Sequence, residues 1–183
     1  MRWAVVLALA PSCALGATLK ATLIAQTDDP RLERTRTERV YLGHPGGLAE
    51  QGLKVALDEA KFELDAGKTA VAIDVKSVGA PDAARAAAQQ AEKSGAAMLI
   101  TDLDVASTLA VADAVKLPVL NVGNSGDALR QADCRANLYH LLPSERMRSD
   151  ALAQALVARK WSNVLVLTGP STDDALRAAT AQA

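Results

Sequence analysis

Polar side chains of the kinds that grip small molecules recur at three places in this chain: Thr27, Asp28 and Asp29, then Thr101 and Asp102, then Asn124 and Ser125. Each set follows a short apolar run, and such places next to helix N-termini let hydroxyl, amide and carboxylate groups orient a small polar solute. The same residue types are favoured there as helix caps through local hydrogen bonding alone, so each position carries both readings. Thr101, Asp102, Asn124, Ser125 and Asp28 are the candidate ligand-binding residues. Catalytic patterns do not accompany them. The chain has no glycine-rich phosphate loop, dinucleotide fingerprint or zinc-spaced histidine pair, and Gly123-Asn124-Ser125-Gly126 lacks the spacing of a nucleophile elbow. Of the two histidines, His140 falls in an alternating segment and reads as structural, while His44 lies in a loop with no evident partner. The expectation is no enzyme activity, no cofactor and no metal.

These groups need a scaffold, and the composition bounds it. With 183 residues, half of them hydrophobic, one full domain fits and two do not. The 20 basic and 21 acidic residues give a net charge of -1, so no field of one sign draws in nucleic acid, and aromatics at 3% are too few for base-stacking platforms. Met1-Arg2, the apolar run Trp3 to Ala10 and the small residues Ala14, Gly16 and Ala17 have the layout of a secretory signal, with cleavage expected near Gly16 or Ala17. Export to a periplasm follows, and no later stretch is apolar for long enough to span a bilayer once the leader is removed. Cys13 could carry a lipid anchor, but Ala10-Pro11-Ser12 is a poor lead-in to a lipidation site. Cys134, alone in the mature chain, reads as structural.

Beyond the leader, apolar runs alternate with helical patterns. Strands are expected at Leu19 to Gln26, Thr69 to Val78, Ala96 to Thr101, Pro118 to Val122 and Asn137 to Leu142. Between them, Leu48 to Leu64 reads as one amphipathic helix, Pro81 to Ser94 as an alanine-rich one and Leu103 to Lys116 as a third, with a brief helix through Leu129 and Arg130. Arg31 to Arg39 reads as a solvated loop or frayed helix. Strand and helix alternation of this kind needs crossover connections, and crossovers make the sheet parallel with helices on both faces. The fold class is a doubly wound α/β sheet. After Pro143 the pattern restarts, with Ser144 capping a helix to Lys160, a sixth strand from Asn163 to Thr168 and a further helix from Asp173. The expected organisation is a signal peptide over 1–17, an N-terminal α/β lobe over 18–142 and an incomplete second lobe begun over 143–183.

Three segments carry a likeness to a known family: Gly52-Leu53-Lys54-Val55-Ala56-Leu57-Asp58-Glu59-Ala60, Thr108 to Val115 before Leu117-Pro118-Val119-Leu120, and Asn137 to Ser144. They resemble the first helix, the third helix with the fourth strand, and the interlobe crossover of the solute-binding proteins of ABC transporters, the type I periplasmic binding proteins of the branched-chain amino acid kind. Asp28-Asp29-Pro30-Arg31 and Cys134-Arg135-Ala136-Asn137-Leu138 resemble more narrowly a branch associated with quinoprotein alcohol oxidation systems. The resemblance implies two lobes closing over a small-molecule solute and presenting it to a membrane permease, the bound solute favouring the closed state. It also implies departures. The family's ligand-holding serine at the third helix falls at Asp104 or Val105, and only Ser125 keeps a hydroxyl at the matching place after the fourth strand. A carboxylate at Asp102 or Asp104 would oppose a ligand carboxylate by about 1 kcal/mol across 4 Å of water, which argues against amino acid binding. The alternative reading is a single-lobe periplasmic sensor or interaction module serving an alcohol-oxidation system.

Overall fold

A computed structural model describes residues 16–29, 47–161, 163–170, 175 and 178–180. The leader residues before Gly16 and the expected loop from Arg31 to Arg39 lie outside the described residues.

The first strand, β1 (Ala17–Gln26), begins two residues earlier than periodicity suggests, because Ala17 and Thr18 continue its ladder onto Thr69 and Ala70 of β2 (Thr69–Val78). Between them the expected single helix is divided into α1 (Ala49–Glu59) and α2 (Lys61–Ala66) at Ala60. Then follow α3 (Pro81–Lys93), β3 (Met98–Asp102), α4 (Val105–Ala114), β4 (Val119–Asn121), a short 3-10 helix (Asp127–Arg130), β5 (Leu138–His140) and α5 (Glu145–Ala158). Among the described residues the four strand pairings are parallel, and the sheet order is β2-β1-β3-β4-β5. β1 therefore sits beside both β2 and β3, and the chain reverses its direction of travel across the sheet between β1 and β3.

Strand parity divides the core between the two faces. Ile24, Leu99 and Val119 point to one side and pack with Ala84, Ala88 and Ala91 of α3 and Val111 and Ala112 of α4. The alanines recur at i, i+4 and i+7, one small-residue stripe that lets α3 lie close to its neighbours. Gly95, at φ +82, ends α3: its N–H reaches the Glu92 carbonyl at 3.0 Å and the Ala96 N–H reaches Ala91 at 3.1 Å, the paired bonds of a Schellman stop. On the opposite face Ala21, Leu23 and Ile100 are buried and covered by Leu53 and Ala49 of α1. That cover is thinner, since neither α1 nor α2 has a buried residue, and Val55 and Phe62 are exposed. Burying each large aliphatic side chain of this set contributes about 1.5–3 kcal/mol.

Two asparagine and aspartate side chains secure the ends of α4. Asp104 precedes it, and its Oδ1 accepts from the Ser107 N–H at 2.7 Å. At the other end Asn137 Nδ2 lies 3.0 Å from the Ala112 and Val115 carbonyls, supplying a donor where the last turn has none of its own. Ser144 caps α5, as its position before the helical pattern predicts, accepting from the Met147 N–H at 3.2 Å. The expected strand at Asn163 to Thr168 does not form: residues 163–169 carry no strand pairing, and Leu165 and Leu167 are more than four-fifths exposed. A strand is stabilised by a neighbour's hydrogen bonds, and no described residue supplies one there. The helix expected from Asp173 falls largely outside the described residues.

Candidate functional site

In an open parallel sheet, ligands collect beyond the carboxyl ends of the strands where the strand order reverses, here past the ends of β1 and β3. The two ends are tied together: the Asp104 N–H donates to Gln26 Oε1 at 3.1 Å. A pocket of about 80 Å³ opens beside them, walled by Gln26, Asp29, Ser77, Asp102 and the first residues of α1. Pockets that enclose a small molecule usually run to roughly 300–1,000 Å³, so this surface by itself encloses none. A larger hollow of about 280 Å³ at Lys68, Thr69 and Ala70 lies at the amino end of β2 and is shallow and open, the wrong edge of a parallel sheet for ligand chemistry.

The five expected ligand residues are placed differently from one another. Asp102 is the last residue of β3, half-buried and part of the pocket wall. Thr101, one residue earlier, points to the other face with Leu99, is 0% exposed, and has its hydroxyl 3.5 Å from the Leu120 carbonyl. Strand parity thus withdraws Thr101 into the core and leaves it no surface to offer a solute. Asp28 stands exposed in the turn after β1 with φ +51, a left-handed conformation that aspartate tolerates better than most residues. Asn124 and Ser125 lie together in the loop after β4.

That loop is built by a residue the sequence reading passed over. Asn121, the end of β4, is 0% exposed, and its Oδ1 accepts from the N–H groups of Gly123 at 3.2 Å and Asn124 at 2.9 Å. Its Nδ2 donates to the Asn124 carbonyl at 2.6 Å. The only local signal is an asparagine closing an apolar run three residues before another asparagine. Asn124 in turn accepts the Gly126 N–H at 2.8 Å on Oδ1 and reaches the Leu103 carbonyl with Nδ2 at 3.4 Å, linking the β4 and β3 loops. The Ser125 hydroxyl donates to Glu145 Oε1 at the start of α5, so toward a solute it has only acceptor capacity left. Asn124 keeps a second amide hydrogen to give. Gly123 lies against Asp102, close enough that a Cβ there would meet the carboxylate. The arrangement offers acceptors from Asp102 and Ser125 and a donor from Asn124 on one rim.

His140, at the end of β5, borders this loop, with Nδ1 3.0 Å from Asn121 Nδ2. Burial holds its pKa below the ordinary 6.5, the positive charge of Arg130 pushes the same way, and a backbone hydrogen bond at Leu129 opposes them. Cys134, expected to be structural, is an exposed side chain on the turn before β5. Among the described residues no group of three or more histidine, cysteine or acidic side chains is placed to hold a metal ion, and no helix is long and apolar enough to cross a membrane.

No protein-family profile matches the chain, and no curated protein matches it. Solved structures do. The leucine-, isoleucine-, valine-, threonine- and alanine-binding protein of Brucella ovis, in its closed conformation, superposes with a TM-score of 0.61 at 15% identity, covering 90% of this chain and 43% of that one. An ABC-transporter solute-binding protein of R. palustris in complex with 4-hydroxybenzoate gives 0.60 at 12% identity, covering 90% and 42%. A periplasmic binding protein of Burkholderia mallei gives 0.58 at 17%, covering 90% and 42%. At these identities the likeness is one of fold: the chain has the α/β fold of a lobe of the periplasmic and ABC-transporter solute-binding proteins, as the sequence resemblance implies. A second R. palustris solute-binding protein that is similar in structure is in complex with benzoate. The chain spans a little over two-fifths of the length of these structures.

Proposed function

We propose that this chain forms one wall of a solute-binding site of an ABC-type transport system, exported to the periplasm by its N-terminal leader and working with a membrane permease. The solute is a small polar molecule, met by Asp102, Asn124 and Ser125 on the rim and by Asp28 at the turn after β1. The observation that carries this reading is the reversal of strand order between β1 and β3 with the three loops beyond it supplying polar groups, in a fold otherwise found in solute-binding proteins. Thr101 contributes by packing. The expected lobes over 18–142 and 143–183 belong to the same proposal, with closure of a second wall over the solute. The interaction-module reading gains no support from the neighbours.

Solute-dependent stabilisation tests it. A ligand that binds only the folded chain raises its stability by about 2.7 kcal/mol at a hundred times Kd. The purified chain is melted with increasing leucine, valine, benzoate, 4-hydroxybenzoate and a set of small polyols and amines. A concentration-dependent rise with one of them, reduced by Asp102→Ala and by Ser125→Ala, is the expected result. A flat response across the set, at concentrations up to tens of millimolar, would sink the reading.

A further inference from the structure

The amide of Asn121 can sit only one way round. Oδ1 already accepts two backbone N–H groups and Nδ2 already donates to a carbonyl, so turning the amide over would set oxygen against the Asn124 carbonyl and NH₂ against two donors. The remaining Nδ2 hydrogen is therefore the one directed at His140 Nδ1, 3.0 Å away. A ring nitrogen facing an N–H has to offer its lone pair. His140 accordingly carries no proton on Nδ1 in this arrangement, and its single proton sits on Nε2. A proton on Nδ1 would leave two donors facing one another inside a partly buried network, where an unmade hydrogen bond is costly.

We propose that Asn121 is the positioning residue of the loop 123–126 and that His140, bare at Nδ1, holds Asn121 in place, so that protonating His140 releases the loop. That this loop faces a solute rests on the function proposed above, and there solute affinity falls as pH drops. The groups around the ring favour a switch of this kind. Arg130, from the 3-10 helix, is the charged group that acts on it, β4 contributes the neutral Asn121, and the groups that shift the ring include no carboxylate. Glu145, at the start of α5, is engaged by the Ser125 hydroxyl and lies 3.7 Å from Arg148 Nη1. Asp127 accepts the Arg146 N–H at 3.1 Å. Arg130 itself donates through Nη2 to the Leu142 carbonyl, so the cation beside His140 is anchored in the crossover that leads to α5.

The test needs no solute, so it fails or succeeds independently of the transport reading. The full chain, isotopically labelled, is titrated by NMR, following the His140 ring and the amides of Gly123 and Asn124. Those amides are expected to shift with the midpoint of the ring and to lose at least tenfold in hydrogen-exchange protection below it. His140→Gln, which places an amide oxygen where Nδ1 was, should keep the loop protected across the range. Asn121→Ala should leave both amides unprotected at every pH. A ring that titrates while the Gly123 and Asn124 signals stay put overturns the proposal, and so does a loop transition that survives in His140→Gln. If Asn121→Ala does not fold, the His140→Gln arm decides the matter alone.

Discussion

Replacing Gly123 with alanine probes the contact that joins the β3 end to the β4 loop. A Cβ on Gly123 would overlap Asp102 Oδ1 and lie 2.9 Å from its Cγ and 2.8 Å from its Cα. The carboxylate can swing aside, but the Cα belongs to β3, so reaching an ordinary 3.4 Å contact requires the loop and the strand to part by about 0.6 Å. Forced expansion of a packed site costs about 1–3 kcal/mol, and the lower chain entropy of alanine in the unfolded state returns about 0.4–1 kcal/mol. Gly123→Ala should therefore destabilise by about 1–2 kcal/mol, which for a chain of this size lowers Tm by about 3–6 °C. Urea and thermal melts of purified protein read this directly. Gly126→Ala is the control: its Cβ would meet Asn124 Oδ1 at 2.9 Å and Val105 Cγ2 at 3.3 Å, both side-chain atoms rather than backbone, so the strand need not move and the change should cost less than Gly123→Ala even though Asn124 Oδ1 already accepts the Gly126 N–H. Adding Asp102→Ala to Gly123→Ala should recover part of the loss, since it removes the carboxylate and leaves the Cα. Gly123→Ala matching or exceeding the parent in stability would refute the argument that backbone proximity fixes this loop.

Asp104→Ala removes the N-cap of α4 and should cost about 1 kcal/mol, with Asp104→Asn or Asp104→Ser retaining most of the stability in the same melts. Leu99→Ala empties a fully buried position between the sheet and α4 and should cost about 2–5 kcal/mol; a loss below 1 kcal/mol would mean that the core there collapses to refill the space. The depressed pKa of His140 makes stability pH-dependent. Its neutral form is favoured in the fold, so the contribution is complete above 6.5 and is lost as pH falls from there through the lower folded value. Stability measured across that window should decline toward acid in the parent, and the part due to this ring should be missing in His140→Gln.

Legibility in the sequence followed the range of the interactions. The helix over Pro81–Lys93 and the strand over Thr69–Val78 were readable because their signals are periodic and local: Pro81 at the first helical position, alanines repeating on one face, β-branched residues alternating in the strand. Ser144 was readable as a cap for the same reason. The burial of Thr101 was not legible, because one strand position turns a side chain from the open edge to the core. Asn121 was missed because two of its partners, the Gly123 and Asn124 N–H groups, identify it only once the turn is formed, and a third, His140, lies on the next strand.

By itself the sequence determined that strands and helices alternate and that the sheet is therefore parallel with helices on both faces, since no shorter connection returns a strand in the same direction. Tertiary structure alone decided the order β2-β1-β3-β4-β5, and with it the place where the strand ends diverge. It also decided which of the polar side chains after each strand remain at the rim, that Gly123 must lie against Asp102, and that residues 163–169 carry no strand pairing. The physical reason is common to all of these. Periodicity reports which face of an element is apolar, whereas pairing, burial of a polar group and close approach of backbone depend on partners many residues away that only the assembled sheet brings near.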